Sequence, residues 1–497
     1  MAQSADGSRR YLAFVKETTF GVTPANPNLQ AIRVTGGDSI NNARSNITSD
    51  EIRNDRQIIV SRLGQNQPEL SVPFELSFES FETLFEGALG NEWVGNYSLA
   101  VNVDAANAVL TNSDSNNWAD LGVKLNDWVL VTNLETSADN GIYYVSSVAT
   151  TALTLQEPDQ STAASFTTAN ADAINLIGGF TGGQIDASTI NLSVSASANT
   201  ITAASDAGWH TTYRLSEGDS IYFQGFTNAT NNGWHLITSI SDTVITLGES
   251  SLTTETVSSG EVDFMVNSAI LRTGVNIPTF TLEEGFVDVS EYHQTLGAKI
   301  TSMAISMQPD SIITGSFDFT GQIYTPFSDN WQTTGTAGTG ASIGTLVQGN
   351  TNQVFDSYTG SLVFAGEDLA NSQNILITGI DFTLDNGVDR RFAILDRNAK
   401  SLSQGRITCT GTVSAFFPDA TLAAKFDTEE IFEIRVRLED LEGNSYLFGW
   451  PNAKFTSETK SVSETDVTES LDITMLGGDD YYNTFYIKKQ PDTPARV

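Results

Sequence analysis

A stretch near the amino terminus returns in the second part of the chain, and this duplication constrains the fold more than any other feature. The segment Ile-Arg-Val-Thr-Gly at 32–36 is answered by Ile-Leu-Ile-Thr-Gly at 375–379. Further along, Ile-Arg-Asn-Asp-Arg at 52–56 has a looser partner in Leu-Asp-Arg-Asn at 395–398, and Leu-Gly-Gln at 63–65 matches Leu-Ser-Gln at 402–404. The sequence therefore predicts two related halves, with the remaining residues forming insertions or connections.

Both copies change from a strand pattern to a helix pattern in the same order. A helix capped by Ser77 or Ser80 and ended by Gly90 is predicted in the first copy, and a helix capped by Asp419 in the second. The strand before each helix is predicted from small or apolar residues at every second position. These are Leu70, Val72, Phe74 and Leu76 in the first copy, and Cys409, Gly411, Val413 and Ala415 in the second.

The composition favours many short strands and polar turns over helix bundles. Charged residues make up 17% of the chain, whereas glycine, threonine, serine and asparagine are abundant. With 497 residues, the chain is long enough for about three or four domains of common size. We expect a mainly β protein.

The charge balance is strongly acidic, with 60 acids against 25 bases and a net charge of −35. No stripe of lysine or arginine stands out, which disfavours a surface that grips phosphate. An acidic wall would repel DNA over roughly 8 Å at physiological salt, so the repulsion matters mainly in a narrow space lined by the protein. Solubility alone is the simpler explanation of the charge.

The single cysteine, Cys409, excludes an intrachain disulfide framework, and its alignment with Leu70 favours a small core residue over a reactive thiol. The first ten residues lack the apolar region of a secretion signal. No window approaches ~20 apolar residues, so no membrane-spanning segment is expected.

Residues 37–56 form a polar stretch between two apolar strands. Such a stretch is long for a loop in a compact domain and is typical of a functional loop. Its charged side chains are predicted to form ion pairs between subunits, and a solvated hairpin tip is the alternative. The candidate interface residues are Arg44, Asp50, Glu51, Arg53, Asp55 and Arg56.

A second, unrelated repeat occupies residues 93–265. Trp118 precedes Asn-Asp at 126–127, Asn-Gly at 140–141 and Leu-Thr-Leu at 153–155, and Trp209 precedes Gly-Asp at 218–219, Asn-Gly at 232–233 and Ile-Thr-Leu at 245–247. Each Asn-Gly step is predicted to form a tight turn between strands. We interpret the region as an inserted module of two small β repeats, about 93–180 and 181–265.

The scaffold resumes after this module. Alternating segments at 300–307 and 312–319, joined by Gln-Pro-Asp-Ser, predict a hairpin. The stretch 333–340, rich in glycine and threonine, predicts a flexible connection between the halves. The predicted domains are therefore 1–92 with 266–344, the inserted module 93–265, and 345–497.

No catalytic constellation is evident. The three histidines are scattered, and neither a Gly-x-Ser-x-Gly nor a His-Glu-x-x-His motif is present. The acid pairs at 283–284, 429–430 and 479–480 are compatible with glycoside chemistry, but 60 acids produce such pairs by composition. The acidic loop at 439–444 lacks the spacing of an EF-hand. We predict no enzymatic activity, no cofactor and no metal site.

Three segments resemble the tail tube proteins of long, non-contractile-tailed bacteriophages. They are Val-Lys-Glu-Thr-Thr-Phe-Gly-Val-Thr-Pro at 15–24, Ser-Asp-Glu-Ile-Arg-Asn-Asp-Arg-Gln at 49–57, and the strand-to-helix passage at 70–89. The resemblance covers residues 11–92 and 280–322, reaches the second half through the duplication, and leaves out the module at 93–265.

The resemblance implies two tandem β-sandwich or barrel units, each with a short flanking helix, whose sheets join across subunits around a channel. It implies a virion tail component made in the host cytoplasm, with DNA passing along the lumen without specific binding. Partners would be copies of the chain and other tail proteins, such as tape measure, terminator and distal tail proteins, and no membrane. Two tube units per chain favour homotrimeric, pseudo-sixfold rings stacked through long hairpin loops, with homohexamers as the alternative.

A β-rich surface adhesin or carbohydrate-binding module is the alternative function. In that case exposed Trp93, Trp118, Trp209 and Trp234 would serve as sugar platforms. A polysaccharide-degrading enzyme is a third possibility and requires two acids that converge in a cleft.

Overall fold

A computed structural model describes residues 5–491 except 37–38, 59, 95–96, 105–108, 112–117, 119–122, 135, 137–138, 151, 165, 167–173, 180, 214, 249–251, 267, 290, 326–342, 365–366, 369–375, 417–420 and 479–483. Contacts divide the chain into two compact units. Unit 1 comprises Met1–Glu92, Leu271–Leu441 and Phe448–Tyr486, and unit 2 comprises Trp93–Ile270, Glu442–Leu447 and Ile487–Val497. The predicted connection at 333–340 and the predicted cap Asp419 lie outside the described residues.

The described secondary structure is mainly β, as the composition predicts. Before the insert, the elements are β1 (Arg10–Lys16), β2 (Asn28–Ala31), β3 (Asn41–Thr48), β4 (Ser61–Glu75) and α1 (Glu82–Leu89). The following elements are β5 (Tyr97–Asp104), β6 (Val109–Thr111), β7 (Trp128–Thr132), β8 (Gly141–Val148), β9 (Ala152–Gln156), β10 (Ile174–Gly179), β11 (Thr181–Asp186), β12 (Leu192–Ser195), β13 (Thr200–Ala203), β14 (Ser220–Gln224), β15 (Gly233–Ile240), β16 (Val244–Leu247), β17 (Glu255–Val257), β18 (Glu261–Val266) and β19 (Ala269–Arg272).

The remainder of the chain adds further strands and a second helix. They are β20 (Phe280–Phe286), β21 (Glu291–Met307), β22 (Thr314–Thr320), β23 (Ile323–Thr325), β24 (Thr345–Val347), β25 (Gly360–Phe364), β26 (Glu367–Asp368), β27 (Leu376–Asp385), β28 (Asp389–Arg391), β29 (Ser401–Ser403), β30 (Thr408–Phe416), α2 (Thr421–Asp427), β31 (Phe432–Glu439), β32 (Ser445–Val462), β33 (Val467–Met475) and β34 (Tyr486–Gln490). Single 3-10 turns occur at Gly7–Arg9 and Ala229–Asn231.

An antiparallel sheet in unit 1 contains strands from both halves of the sequence. Its pairings run β3–β4–β22–β21–β27–β30–β33–β32. The predicted hairpin at 300–319 is the β21–β22 pair. The halves meet where β21 pairs with β27, with Ser302 opposite Asp385 and Met307 opposite Ile380.

One face of this sheet is buried and the other is polar, because side chains alternate along each strand. The predicted core positions of β4 are buried, and so are Cys409, Val413 and Ala415 of β30, whereas Gly411 is half-buried. Burial raises the pKa of the Cys409 thiol to about 12, which keeps it protonated and confirms it as a core residue.

Aromatic contacts hold further elements on the buried face. Phe280 of β20, which pairs with β1 and β21, lies 6.2 Å in ring centroid distance from Phe319 of β22. Phe81, just before α1, lies 4.5 Å from Phe74 of β4. Such aromatic pairs contribute beyond their buried area.

Helix α1 ends as predicted but does not begin as predicted. Gly90 adopts φ +69° and donates its N–H to the Glu86 carbonyl, which is the expected glycine terminator. The predicted serine cap is wrong, because the N-cap residue is Phe81 and makes no side-chain capping bond. The hydroxyls of Ser77 and Ser80 instead bond each other, and Ser77 accepts a bond from the Arg33 guanidinium.

Unit 2 contains two β bodies with separate cores. The first is a closed barrel, β10–β5–β6–β9–β8–β7, with Trp118 buried in its core. The second is a sheet in the order β11–β18–β14–β15–β16–β13–β12–β17, with Trp209 buried in its core.

The expected tight turns at the Asn-Gly steps are wrong. The connections before β8 and β15 span residues 133–140 and 225–232, which is longer than a two-residue hairpin turn. The asparagine amides close these loops, because Leu134 donates its N–H to Asn140 Oδ1 and Phe226 donates its N–H to Asn232 Oδ1, both at 2.9 Å.

Candidate assembly surfaces

A long hairpin made by β3 and β4 carries the candidate interface residues. The stretch predicted as a loop at 37–56 contains a strand, because β3 continues its pairing with β4 to Thr48 opposite Ser61. Nearly all side chains from residue 43 to residue 63 are exposed or half-exposed. We call residues 41–69 the first hairpin.

The charged candidates lie in this hairpin, and two of them pair with each other. Arg53 donates from Nη2 to Asp55 Oδ2 at 2.9 Å. This bond and the N–H of Gln57 hold the pKa of the Asp55 carboxyl below its usual value. The other candidates, Arg44, Asp50, Glu51 and Arg56, are exposed.

Exposed aliphatic side chains accompany these charges, and inspection of the sequence missed them. Ile52, at the tip, is 98% exposed. The others are Ile47, Ile58, Val60 and Leu63. A cluster of exposed aliphatic residues on a projecting hairpin is typical of a protein interaction site. The sequence does contain a signal for them, because large apolar residues stand within an otherwise polar stretch.

A second hairpin, residues 386–405, packs on the first half of the same chain. Arg390 donates to the carbonyls of Pro68 at 2.6 Å and Gly321 at 3.2 Å, and it pairs with Glu69 at 3.0 Å. The Asn66 N–H donates to the Arg397 carbonyl at 2.8 Å.

The apolar side chains of this second hairpin divide into a buried stem and an exposed tip. Ala399 and Leu402 are 1% and 6% exposed. Leu395 at the tip is 103% exposed, and its neighbour Ile394 is also exposed. The tip therefore projects beyond the surface that holds the stem.

Two strand edges in unit 1 are candidates for pairing with another chain. In the pairing order described for this sheet, β3 is the terminal strand next to β4, and residues 453–462 of β32 are the terminal segment next to β33. A strand edge with unpaired N–H and C=O groups is a template for another strand.

The sheet from β3 to β32, which contains strands of both halves, is called the shared sheet. Its polar face carries aspartates that accept hydrogen bonds from neighbouring strands. Asp318 accepts hydrogen bonds from the hydroxyls of Ser71 and Ser302, both at 2.6 Å. Asp381 accepts from Ser306 and Gln308. Asp472 accepts in the same way from Thr412 at 3.1 Å and Ser457 at 2.5 Å. This face therefore combines negative charge with hydroxyl groups.

The acid pairs considered for catalysis are placed differently. Glu283 accepts bonds from Tyr11, Gln294 and the Ile343 N–H, and Glu284 pairs with Arg10 and accepts from Ser39 and Ile40. Both carboxylates are fully buried, so they hold strands and loops in place. Exposed Glu429 and Glu430 pair with Lys454 and Lys425, and the pair at 479–480 lies outside the described residues.

Two of the four tryptophans considered as sugar platforms cannot serve as such. Trp118 and Trp209 are core residues, whereas Trp234 is half-buried against Tyr222 and Trp93 lies beneath the Lys489 ammonium. Within the described ranges, no group of three or more His, Cys, Asp or Glu side chains is arranged to hold a metal ion. No helix in the described part of the chain is long and apolar enough to cross a bilayer.

Comparison with known proteins identifies the family of the chain. The family model described as phage tail tube protein matches residues 7–475, which is nearly the whole chain. No curated protein matches the chain. The chain therefore belongs to the phage tail tube protein family, and is a structural, non-enzymatic component of the virion tail that self-polymerises into a tube.

Proposed function

We propose that this tail tube protein carries two tandem tube domains, 1–92 with 266–344 and 345–497, each with one flanking helix. The support is a common order of strand pairing. In the first half the order is β1–β20–β21–β22–β4–β3. In the second half β25 pairs with β31, as β1 pairs with β20. The strands β32–β33–β30–β27 then pair in the same order as β21–β22–β4–β3. Leu70 faces Phe319, just as its aligned residue Cys409 faces Met475.

The module at 93–265 is proposed to be an insertion of two small β repeats, about 93–180 and 181–265, that decorates the tube. Its two halves share local hydrogen bonds as well as strand order. The Lys124 N–H donates to Asp127 Oδ2 at 2.8 Å, and the Ser216 N–H donates to Asp219 Oδ2 at the same distance.

The observation that carries the assembly proposal is the β21–β27 pairing, by which two halves already share one sheet within a single chain. Residues 453–462 of β32 hold the place in the second half that β21 holds in the first. Likewise, residues 39–41, which lead into β3, correspond to residues 383–385 of β27. We infer that β32 of one chain pairs with the neighbouring chain's β3 edge. Three chains with eight strands each then close a 24-stranded barrel, a trimeric ring with pseudo-sixfold symmetry.

The polar face of the sheet is proposed to line the lumen. Asp318, Asp381 and Asp472 are bound by neighbouring hydroxyl or amide groups, so their carboxylates stay fixed on the wall. Fixed negative charge repels a phosphate backbone within roughly 8 Å, and DNA passes without being held. The buried face contains the core and is unavailable to the channel.

The hairpin tips are proposed to contact the next ring. The tip of the first hairpin carries exposed Ile52, and the tip of the second carries exposed Leu395. The stacking candidates Asp50, Glu51, Arg53, Asp55 and Arg56 lie at the first tip, and the candidate Arg44 lies in the stem opposite Asn66. Tape measure, terminator and distal tail proteins would meet the ends or the lumen of the tube.

A disulfide across the inferred edge tests this assembly. Ala304 faces Thr383 in the intrachain pairing. Ser457 corresponds to Ala304, and Ser39 corresponds to Thr383. Ser457 of one chain should therefore face Ser39 of the neighbouring chain. The double variant Ser39→Cys with Ser457→Cys is expected to give a ladder on oxidation that ends at three linked chains. Each single variant is the control. A ladder that ends at six would replace the trimer by a hexamer, and a double variant that stays unlinked in assembled tubes would refute the edge pairing.

A further inference from the structure

The stems of the two hairpins have the same pairing but opposite exposure. Leu63 faces Asn46 in the first hairpin, and its aligned residue Leu402 faces Arg390 in the second. Leu63 is 55% exposed whereas Leu402 is 6% exposed. Three residues earlier, Val60 is 45% exposed and the corresponding Ala399 is buried. The second stem is thus covered by protein, and the first stem is uncovered.

The surfaces under the stems show the converse difference. On the first half, Asn66 and Pro68 are buried where the second hairpin packs. Strand alignment makes Gly405 and Ile407 their counterparts on the second half, and these are exposed and half-exposed. A Cβ atom added to Gly477, the counterpart of Gly321, would meet no atom within 4 Å. The second half therefore has the docking surface without a hairpin on it.

We propose that the stem of the first hairpin docks on this surface of the neighbouring chain in the same ring, as a lateral clasp. The contacts within one chain supply the geometry. Val60 and Leu63 would cover Gly405 and Ile407 as Ala399 and Leu402 cover the first half. The Asn46 amide would replace part of the Arg390 guanidinium and donate to the Gly477 carbonyl. This carbonyl already accepts from the Asn452 amide at 3.0 Å and has a second lone pair for the added bond.

This clasp rests on the proposed assembly and adds a function for the first hairpin. The tip, which carries all the charged candidates except Arg44, remains available to the next ring, because the tip of the docked second hairpin is also exposed. One hairpin would then link chains within a ring through its stem and between rings through its tip. The partner at the stem is a second copy of this chain.

Surface variants test the clasp without disturbing the fold of the single chain. Leu63→Asp removes the apolar stem contact, and Gly477→Trp fills the docking surface. Leu125→Asp is the matched control, because Leu125 is 56% exposed but lies in the inserted module. We expect the first two variants to keep the circular dichroism spectrum and to weaken ring formation about tenfold or more in sedimentation velocity. The control should assemble as the parent chain does. If Leu63→Asp and Gly477→Trp both leave ring formation unchanged, the clasp is wrong.

A second disulfide separates this proposal from the edge pairing. The Asn66 N–H donates to the Arg397 carbonyl, whereas the N–H of its counterpart Gly405 donates to the Asn386 carbonyl of the same chain. Strand alignment nevertheless places Gly405 next to Ile58 of the neighbouring chain, without that hydrogen bond. The variant Ile58→Cys with Gly405→Cys should link chains in isolated single rings. If it links chains only in stacked tubes, or not at all, while Ser39→Cys with Ser457→Cys still links, the clasp is wrong and the edge pairing stands. Failure of both pairs in assembled tubes refutes the proposed assembly itself.

Discussion

The two stem leucines, Leu402 and Leu63, should respond very differently to truncation. Leu402 is almost fully buried against the first half, so Leu402→Ala removes three buried carbon groups and leaves a cavity. At about 0.8 kcal/mol per carbon group plus the cavity, the single chain should lose about 2–4 kcal/mol of unfolding free energy. Leu63 is 55% exposed, so Leu63→Ala should cost the single chain at most about 1 kcal/mol.

Leu63 should matter more for ring assembly than for the stability of the single chain. Covering the exposed half of its side chain in the ring contributes about 1–1.5 kcal/mol, which corresponds to about tenfold in the ring dissociation constant. Urea denaturation at a concentration too low for assembly measures the first effect, and sedimentation velocity at higher concentrations measures the second. Equal destabilisation of the single chain by both variants would show that the first hairpin is already packed, and would refute the argument.

Three further predictions concern single groups. Burial raises the pKa of Asp263 to about 6 in the folded chain, so its ionisation should remove about 2–3 kcal/mol of stability between about pH 4 and pH 6. In Asp263→Asn this pH dependence should disappear and thermal stability at pH 7 should rise. Lys488 pairs at 3.0 Å with Asp219, and both side chains are buried. Lys488→Met should therefore lower the unfolding free energy by about 3–5 kcal/mol in a denaturation experiment. Adding Asp219→Asn should recover part of this loss. Gly90→Ala should cost about 1–2 kcal/mol, because Gly90 has φ +69°. Little or no loss of stability in Lys488→Met or in Gly90→Ala would contradict these assignments.

Local periodicity predicted the strands of the shared sheet well. Alternation at Leu70, Val72 and Phe74 identified β4, and the same spacing from Cys409 identified β30. These positions could be predicted because a half-buried strand shows its buried face directly in sequence. The polar face, which we propose lines the lumen, follows from the same alternation once the strands are known.

Features that depend on distant residues were not predictable. Ser77 and Ser80 have the residue type of helix caps, but Arg33 and Asn350 engage their hydroxyls instead. The Asn-Gly step at 140–141 has the composition of a tight turn, yet Asn140 closes a longer loop through its side chain.

The candidate interface stays a prediction, and the sequence indicated only some of its features. The sequence identified the charged residues of the first hairpin, but gave no reason to separate its stem from its tip. Leu63 and Leu402 were aligned as equivalent residues, and only tertiary packing distinguishes the buried one from the exposed one. Edge pairing between β21 and β27 is also a contact between distant segments, which periodicity does not encode.

Electron cryomicroscopy of the assembled tube, at a resolution that separates strands, tests the central claim most directly. The account predicts three chains per ring and a closed barrel in which Ala453–Val462 of each chain lies antiparallel beside the neighbouring chain's β3 edge. Asp318, Asp381 and Asp472 should face the lumen. A ring of six chains, or a tube in which the edges of β3 and β32 remain unpaired, would contradict it.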